Sequence, residues 1–217
     1  MCPCDFGYGG TPFPTLQTKE KMSFANVQEF NDTFGVKTRG ENTVVRVREA
    51  KLRFKLIKEE FKELRDAFED CDIVEVVDAL GDILYVTFGA AQAFGITEAK
   101  LLTIIQGLDN YKDTLILENV QTEILALLRK AILINDAESV TTVLAVIVKS
   151  VYDSANIFGV DVDGAVEAIH TSNMTKLGED GKPLYNEDLK VIKGPNYKTP
   201  TADIEKILGF DNVETAQ

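Results

Sequence analysis

Slid along itself by 64 positions, this chain aligns residues 57–112 with residues 121–176 without a gap. The identities are Glu59/Glu123, Leu64/Leu128, Arg65/Arg129, Ala67/Ala131, Asp72/Asp136, Val76/Val140, Leu80/Leu144 and Ile83/Ile147. They continue with Ala91/Ala155, Phe94/Phe158, Gly95/Gly159, Ile105/Ile169 and Lys112/Lys176. Each copy is an amphipathic stretch of helical period, then a capping Asp, then a more apolar stretch ending at Gly. Two helical hairpins sharing a generic pattern would explain part of this, and a duplicated hairpin would explain all of it. Helices are expected over 23–35, 43–70, 72–95, 97–110, 117–135, 136–159, 161–176 and 201–208, with Ser23, Asp72, Thr97 and Asp136 as N-caps. No convincing strand pattern occurs. The expected fold is all-α, a helical bundle built from two hairpins, with the second copy degenerate. The Gly- and Pro-rich residues 1–22 are expected to be irregular, ahead of one all-α domain over 23–217. Within that domain the hairpins fall at about 43–112 and 114–176, and a C-terminal loop and helix occupy 177–217.

Composition narrows the function classes. The chain has 217 residues and a net charge of −12, a poor balance for a general nucleic-acid binder. Its three cysteines, Cys2, Cys4 and Cys71, give neither a disulfide framework nor a four-ligand zinc set. A single His argues against most zinc and di-iron architectures. No uninterrupted apolar run is long enough to span a bilayer, and no signal peptide is evident, so a cytoplasmic protein with no membrane partner is expected.

Acids stand where apolar residues are expected. In "DIVEVVDALGDILYVTFGAAQAFG", Glu75, Asp78 and Asp82 fall within about 60° of one another on a helix wheel. The preceding helix carries "KEEFKEL", in which Glu59, Glu60 and Glu63 lie three and four residues apart. A carboxylate removed from water is costly unless something positive meets it. Two antiparallel helices could gather these oxygens around Mg²⁺ or Mn²⁺. Alternatively, the acids form a solvated edge paired with Lys55, Lys58 and Lys62. The 64-residue offset is informative here. Glu60 aligns with Ile124, Glu63 with Leu127, Glu75 with Ser139, Asp78 with Thr142 and Asp82 with Val146. Acids kept only for solubility would not vanish selectively from inward positions, so the first copy looks like the working one.

In "AIHTSNMTK", His170, Asn173 and Lys176 recur every three residues and suit a phosphate or a sugar hydroxyl. A polar helix end with a terminal Lys would look the same. The loop over 177–200 adds Lys182, Lys190, Lys193 and Tyr197, and is long enough to be either a lid or a plain surface loop. "DVDG" at 161–164 is not a calcium loop, because its twelfth position is Ser172. "FGYGG" at 6–10 is no phosphate loop, for want of the following Lys-Ser/Thr.

Taken in order, these motifs resemble the all-α nucleoside triphosphate pyrophosphohydrolases, the MazG-like and phosphoribosyl-ATP pyrophosphohydrolase-like superfamily. The family pattern of EExxE followed by ExxD reads "EEFKE" at 59–63 and "EVVD" at 75–78, with Asp82 one turn on. "VQEFNDTFG", "GDILYVTFGAAQAFGI" and "HTSNMTK" with "GKP…KGPNY" are similar to the subgroup related to dimeric dUTPases, so the resemblance covers most of 24–200. Two departures stand out. Relatives often carry an acid three residues before the Asp of "GDILY", where this chain has Ala79; Asp78 is its expected substitute. In simpler relatives the His-Asn-Lys helix follows the acid hairpin directly, whereas here "QGLDNYK" does so and the His-Asn-Lys version comes after the second hairpin. A fusion is the inferred origin, with the degenerate hairpin standing in for a partner subunit.

The resemblance implies metal-dependent hydrolysis of a nucleoside triphosphate, dUTP foremost, to the monophosphate and pyrophosphate. Glu60, Glu63, Asp78 and Asp82, with Glu75 as the alternative to Asp78, would hold Mg²⁺ or Mn²⁺. Glu59 and Glu63 would be catalytic, Glu59 as general base or as a support for the metal-holding acids. His170, Asn173, Lys176, Lys193 and Tyr197 would hold phosphate or sugar, and Asn31 would read the base. Exposed apolar faces leave a homodimer open. A non-catalytic helical scaffold that keeps the fold is the alternative.

Overall fold

The computed structural model describes residues 23–38, 40, 45–108, 118–188 and 190–210, and within them the protein is all-helical. The helices run α1 (Phe24–Thr33), α2 (Val47–Asp70), α3 (Ile73–Ala93), α4 (Glu98–Gly107), α5 (Glu118–Leu133), α6 (Ala137–Phe158), α7 (Val162–Met174) and α8 (Thr201–Ile207). Leu177 and Pro183, and Tyr185 and Val191, form isolated bridges rather than strands.

Helix α2 buries Ile57, Phe61, Leu64 and Ala67, the stripe that its period dictates. Removing each of the larger three from water contributes about 1.5–3 kcal/mol. Cys71 ends α2 in the left-handed region at φ 56°. Asp72 then starts α3 by accepting from the amides of Val74 and Glu75. Sixty-four residues on, Asn135 turns at φ 53° and Asp136 accepts from the amides of Glu138 and Ser139.

Helix α3 is central. It packs on α2, α7, α6, α1 and α8, which explains why almost all of it past Asp82 is buried. Helix α6 lies against α3, α4 and α5. By length and composition α6 could cross a membrane, but 72% of its most apolar window is buried inside the molecule, so its apolar character is used in packing. Phe68 meets Phe158 with ring centroids 5.6 Å apart, tying the end of α2 to the end of α6.

One close approach positions α7. A Cβ on Gly81 would lie 2.5 Å from Cδ1 of Ile169. With no side chain there, α7 settles against α3 directly beside Asp82, and His170 and Asn173 come with it. The chain beyond α7 folds back as a strap. Ser172 Oγ donates to the carbonyl of Lys198 at 2.6 Å, the amide of Lys198 donates to Thr175 Oγ1 at 2.9 Å, and Tyr185 Oη donates to the carbonyl of Phe34. Arg48 donates to the carbonyl of Glu187, and Lys55 pairs with Asp188 at 3.0 Å, so the strap is fastened to α2 as well. Of the two expectations for 177–200, a loose surface loop does not describe it.

Candidate active site

Helices α2 and α3 bring their acids to one place. Glu60 lies within electrostatic reach of Glu63 and Asp82, and Asp78 within reach of Asp82, Glu75 and Glu63. Burial, then the neighbouring carboxylates Asp82 and Glu63, push the pKa of Glu60 up to about 9, and a hydrogen bond with Glu63 adds to the rise. Burial and the same crowding raise Asp78 to about 8. Asp82 rises to about 6, chiefly through burial, with Lys176 the largest opposing influence.

Three lysines answer this negative charge, all from the far end of the chain. Lys176, at the end of α7, faces Asp82 and Glu60. Its own pKa is lowered, mainly because it is taken out of water, with Asp82 opposing. Lys190 pairs with Glu59 at 2.7 Å, and Lys193 faces Asp78 and Asp82. The ring of Tyr197 lies 4.5 Å from Nζ of Lys193 and 5.7 Å from Nζ of Lys176, so one aromatic face steadies both ammonium groups. Gly194 lets the strap come this close. A Cβ there would stand 2.0 Å from the carbonyl oxygen of Leu177.

The site thus unites Glu59, Glu60, Glu63, Asp78, Asp82, Lys176, Lys193 and Tyr197 from the sequence expectations. Glu75 sits in the exposed first turn of α3 beside Asp78, whereas Asp78 is half-buried, so Asp78 is the inward acid of the pair. Oδ1 of Asp78 is buried with no hydrogen-bond partner, an expensive condition for a carboxylate oxygen. An oxygen-only donor set with one such atom fits a hard divalent cation. Among the described residues no three His, Cys, Asp or Glu side chains converge closely enough to hold an ion as they stand.

Two expected residues lie further off. His170 contacts Tyr85 Oη through Nδ1 at 3.0 Å and Glu29 through Nε2 at 3.3 Å. Tyr85, one turn after Asp82, also bonds Asn173. The His170–Asn173 face therefore reaches the acids through Tyr85, which spacing rules did not single out although its offset from Asp82 puts it on the same face. Asn31 is elsewhere. It is buried, and its amide donates to Gln92 Oε1 at 2.5 Å. Gln92 lies ten residues past Asp82, about 15 Å along α3. Lys182 stays on the exposed side, 3.7 Å from Asp180. Lys190 is a site residue that local spacing could not reveal, since its partner Glu59 is 131 positions away.

The phosphoribosyl-ATP pyrophosphohydrolase family matches residues 27–107, the segment that holds every acid of the cluster. The chain is also 30% identical to "Uncharacterized protein L479" of Acanthamoeba polyphaga mimivirus, over 222 aligned residues covering 90% of this chain and 82% of that protein. The chain belongs to the MazG-like all-α pyrophosphohydrolase superfamily. Membership gives the acid-bearing hairpin a nucleotide pyrophosphohydrolase-like role. The family match stops before α5, while the similarity to the mimivirus protein spans 90% of the chain. No solved structure matches the chain.

Proposed function

We propose that the protein is a Mg²⁺-dependent nucleoside triphosphate pyrophosphohydrolase, with dUTP its leading substrate. The observation that supports this most is the buried acid cluster of α2 and α3 faced by Lys176, Lys190 and Lys193. Glu60, Glu63, Asp78 and Asp82 would hold the cation. When bound, it neutralises phosphate oxygens and makes water easier to deprotonate.

The chain's own groups divide the remaining work. Lys176 and Lys193, steadied by Tyr197, offer ammonium groups to the triphosphate once the acids are engaged. Glu59 accepts the proton of the attacking water. Water adds across the α–β anhydride bond, and the products are the nucleoside monophosphate and pyrophosphate. The strap shields this space from bulk water, which strengthens every charge interaction inside it. Tyr85, His170 and Asn173 form the polar wall towards α1, where sugar or base would lie. The second hairpin, with Ile124, Leu127, Thr142 and Val146 at the aligned positions, supplies framework rather than a second centre, so one chain carries one site.

The test is pyrophosphate release from a panel of dNTPs and NTPs with Mg²⁺, run beside Glu63→Gln. Release by the parent chain and at least a 100-fold loss in the variant are expected, with dUTP the best substrate. Equal rates for both would sink the assignment of the acids. No turnover of any nucleotide, together with no metal binding, would make the protein a helical scaffold.

A further inference from the structure

Helix α2 carries a second polar surface that the hydrolytic site does not use. Val47, Arg48, Lys51, Leu52 and Lys55 line a groove of about 340 Å³ against Asp188 of the strap. In a chain of net charge −12, the described residues lining this groove include three cations on successive turns of one helix face and a single carboxylate. That carboxylate is committed to Lys55, at 3.0 Å. Lys51 makes no hydrogen bond or ion pair with any described residue. Arg48 spends part of its guanidinium on the carbonyl of Glu187 and keeps further N–H groups to offer. Val47, 70% exposed, and Leu52 add apolar surface beside the charges.

We propose that this groove is an anion site for a phosphate-bearing ligand of at least two phosphoryl groups. Arg48 and Lys55 are seven residues apart, about 10 Å along the axis, which exceeds the reach of one phosphate and suits a diphosphate or longer chain. A guanidinium flanked by two ammonium groups suits that charge. The apolar strip beside it could take a ribose or base, so free pyrophosphate and a nucleotide's phosphate chain share the chemistry. The site is distinct from the acid cluster: Lys51 and Glu60 are nine residues apart, about 13 Å along α2. The two are joined through Glu59. Lys55 lies 3.9 Å from Glu59 as well as 3.0 Å from Asp188, and Lys190, two residues further along the strap, holds Glu59 at 2.7 Å. An anion that recruits Lys55 and Arg48 competes with Asp188 and the Glu187 carbonyl for them, and so changes how Lys190 is presented to Glu59.

The experiment is calorimetric titration of the full chain with inorganic pyrophosphate in EDTA at 0.15 M salt, where weak surface attraction is screened. Inorganic phosphate, dUMP and dUTP are the parallel probes. The variants are Lys51→Gln, Arg48→Gln/Lys51→Gln and, as a control at the acid cluster, Lys193→Gln. Arg48 and Lys51 lie on the exposed outer side of α2, and circular dichroism checks that each variant folds. Binding of pyrophosphate that weakens at least tenfold in the double variant and less than threefold in Lys193→Gln is the expected result, with phosphate and dUMP weaker than pyrophosphate. Tighter binding of dUTP than of pyrophosphate, lost in the double variant and kept in Lys193→Gln, would identify a nucleotide as the occupant. No binding at millimolar pyrophosphate, or loss only in Lys193→Gln, would overturn the proposal. Binding is read without turnover, so its failure is separate from a failure of the hydrolytic assignment.

Discussion

At the scale of single residues, the cluster is a set of carboxylates held above their usual pKa. Glu60 stands at about 9, Asp78 at about 8 and Asp82 at about 6, against ordinary values near 4. Each therefore binds its proton more tightly when folded than when unfolded. Between about pH 4 and 9 the folded chain carries the extra protons, so these groups favour folding at low pH and lose that contribution as pH rises through the folded pKa values. In EDTA, the urea midpoint of the parent chain should fall more steeply from pH 5 to pH 9 than that of Glu60→Gln or Asp78→Asn. A parent slope no steeper than the variants' would show that these acids are not buried and crowded. Added Mg²⁺ should stabilise more at pH 9 than at pH 5, since a cation competes with those protons; an equal gain at both would deny it the cluster. The acids themselves were legible in the sequence because helical spacing is local. Asn31 was not, because its amide is satisfied by Gln92 from another helix, and nothing near Asn31 in the chain announces that partner.

At the scale of elements, the site depends on two places where a side chain is missing. Gly81→Ala sets a methyl group against Ile169, in the contact that seats α7 on α3. Overpacking of this kind costs about 1–3 kcal/mol, and chemical denaturation should show it. Gly194→Ala should cost at least as much, since its methyl group meets the backbone of Leu177 rather than a side-chain tip, and should also raise KM for the nucleotide, because the strap must back away from Leu177 and take Lys193 with it. An unchanged KM would mean that Lys193 does not touch substrate. The caps are a separate matter. Asp72→Ala and Asp136→Ala should each cost about 1 kcal/mol, and a negligible loss in the stability of both would deny the two caps their role. The caps at Asp72, Thr97 and Asp136 were readable because each is decided within four residues; Ser23, expected to cap α1, makes no side-chain cap bond, and α2, expected from 43, begins at Val47. The path of the strap was not, since its anchors on Phe34, α2 and Thr175 lie up to 151 positions away in sequence.

At the scale of the molecule, two hairpins share one plan of turns and caps, yet only the first gathers acids at the inward positions 60, 63, 78 and 82. Equilibrium binding of a slowly hydrolysed dUTP analogue should therefore show one Mg²⁺-dependent site per chain. Two equivalent sites would contradict the framework role given to α5 and α6. The strap also has a consequence in time. Asp82 leaves the ribosome about 110 residues before Lys193, on the order of 5–20 s at usual rates of synthesis. Through that interval the growing chain holds its acids without the lysines that later balance them, so the first hairpin is born incomplete and its charge is settled only by a segment made well after it.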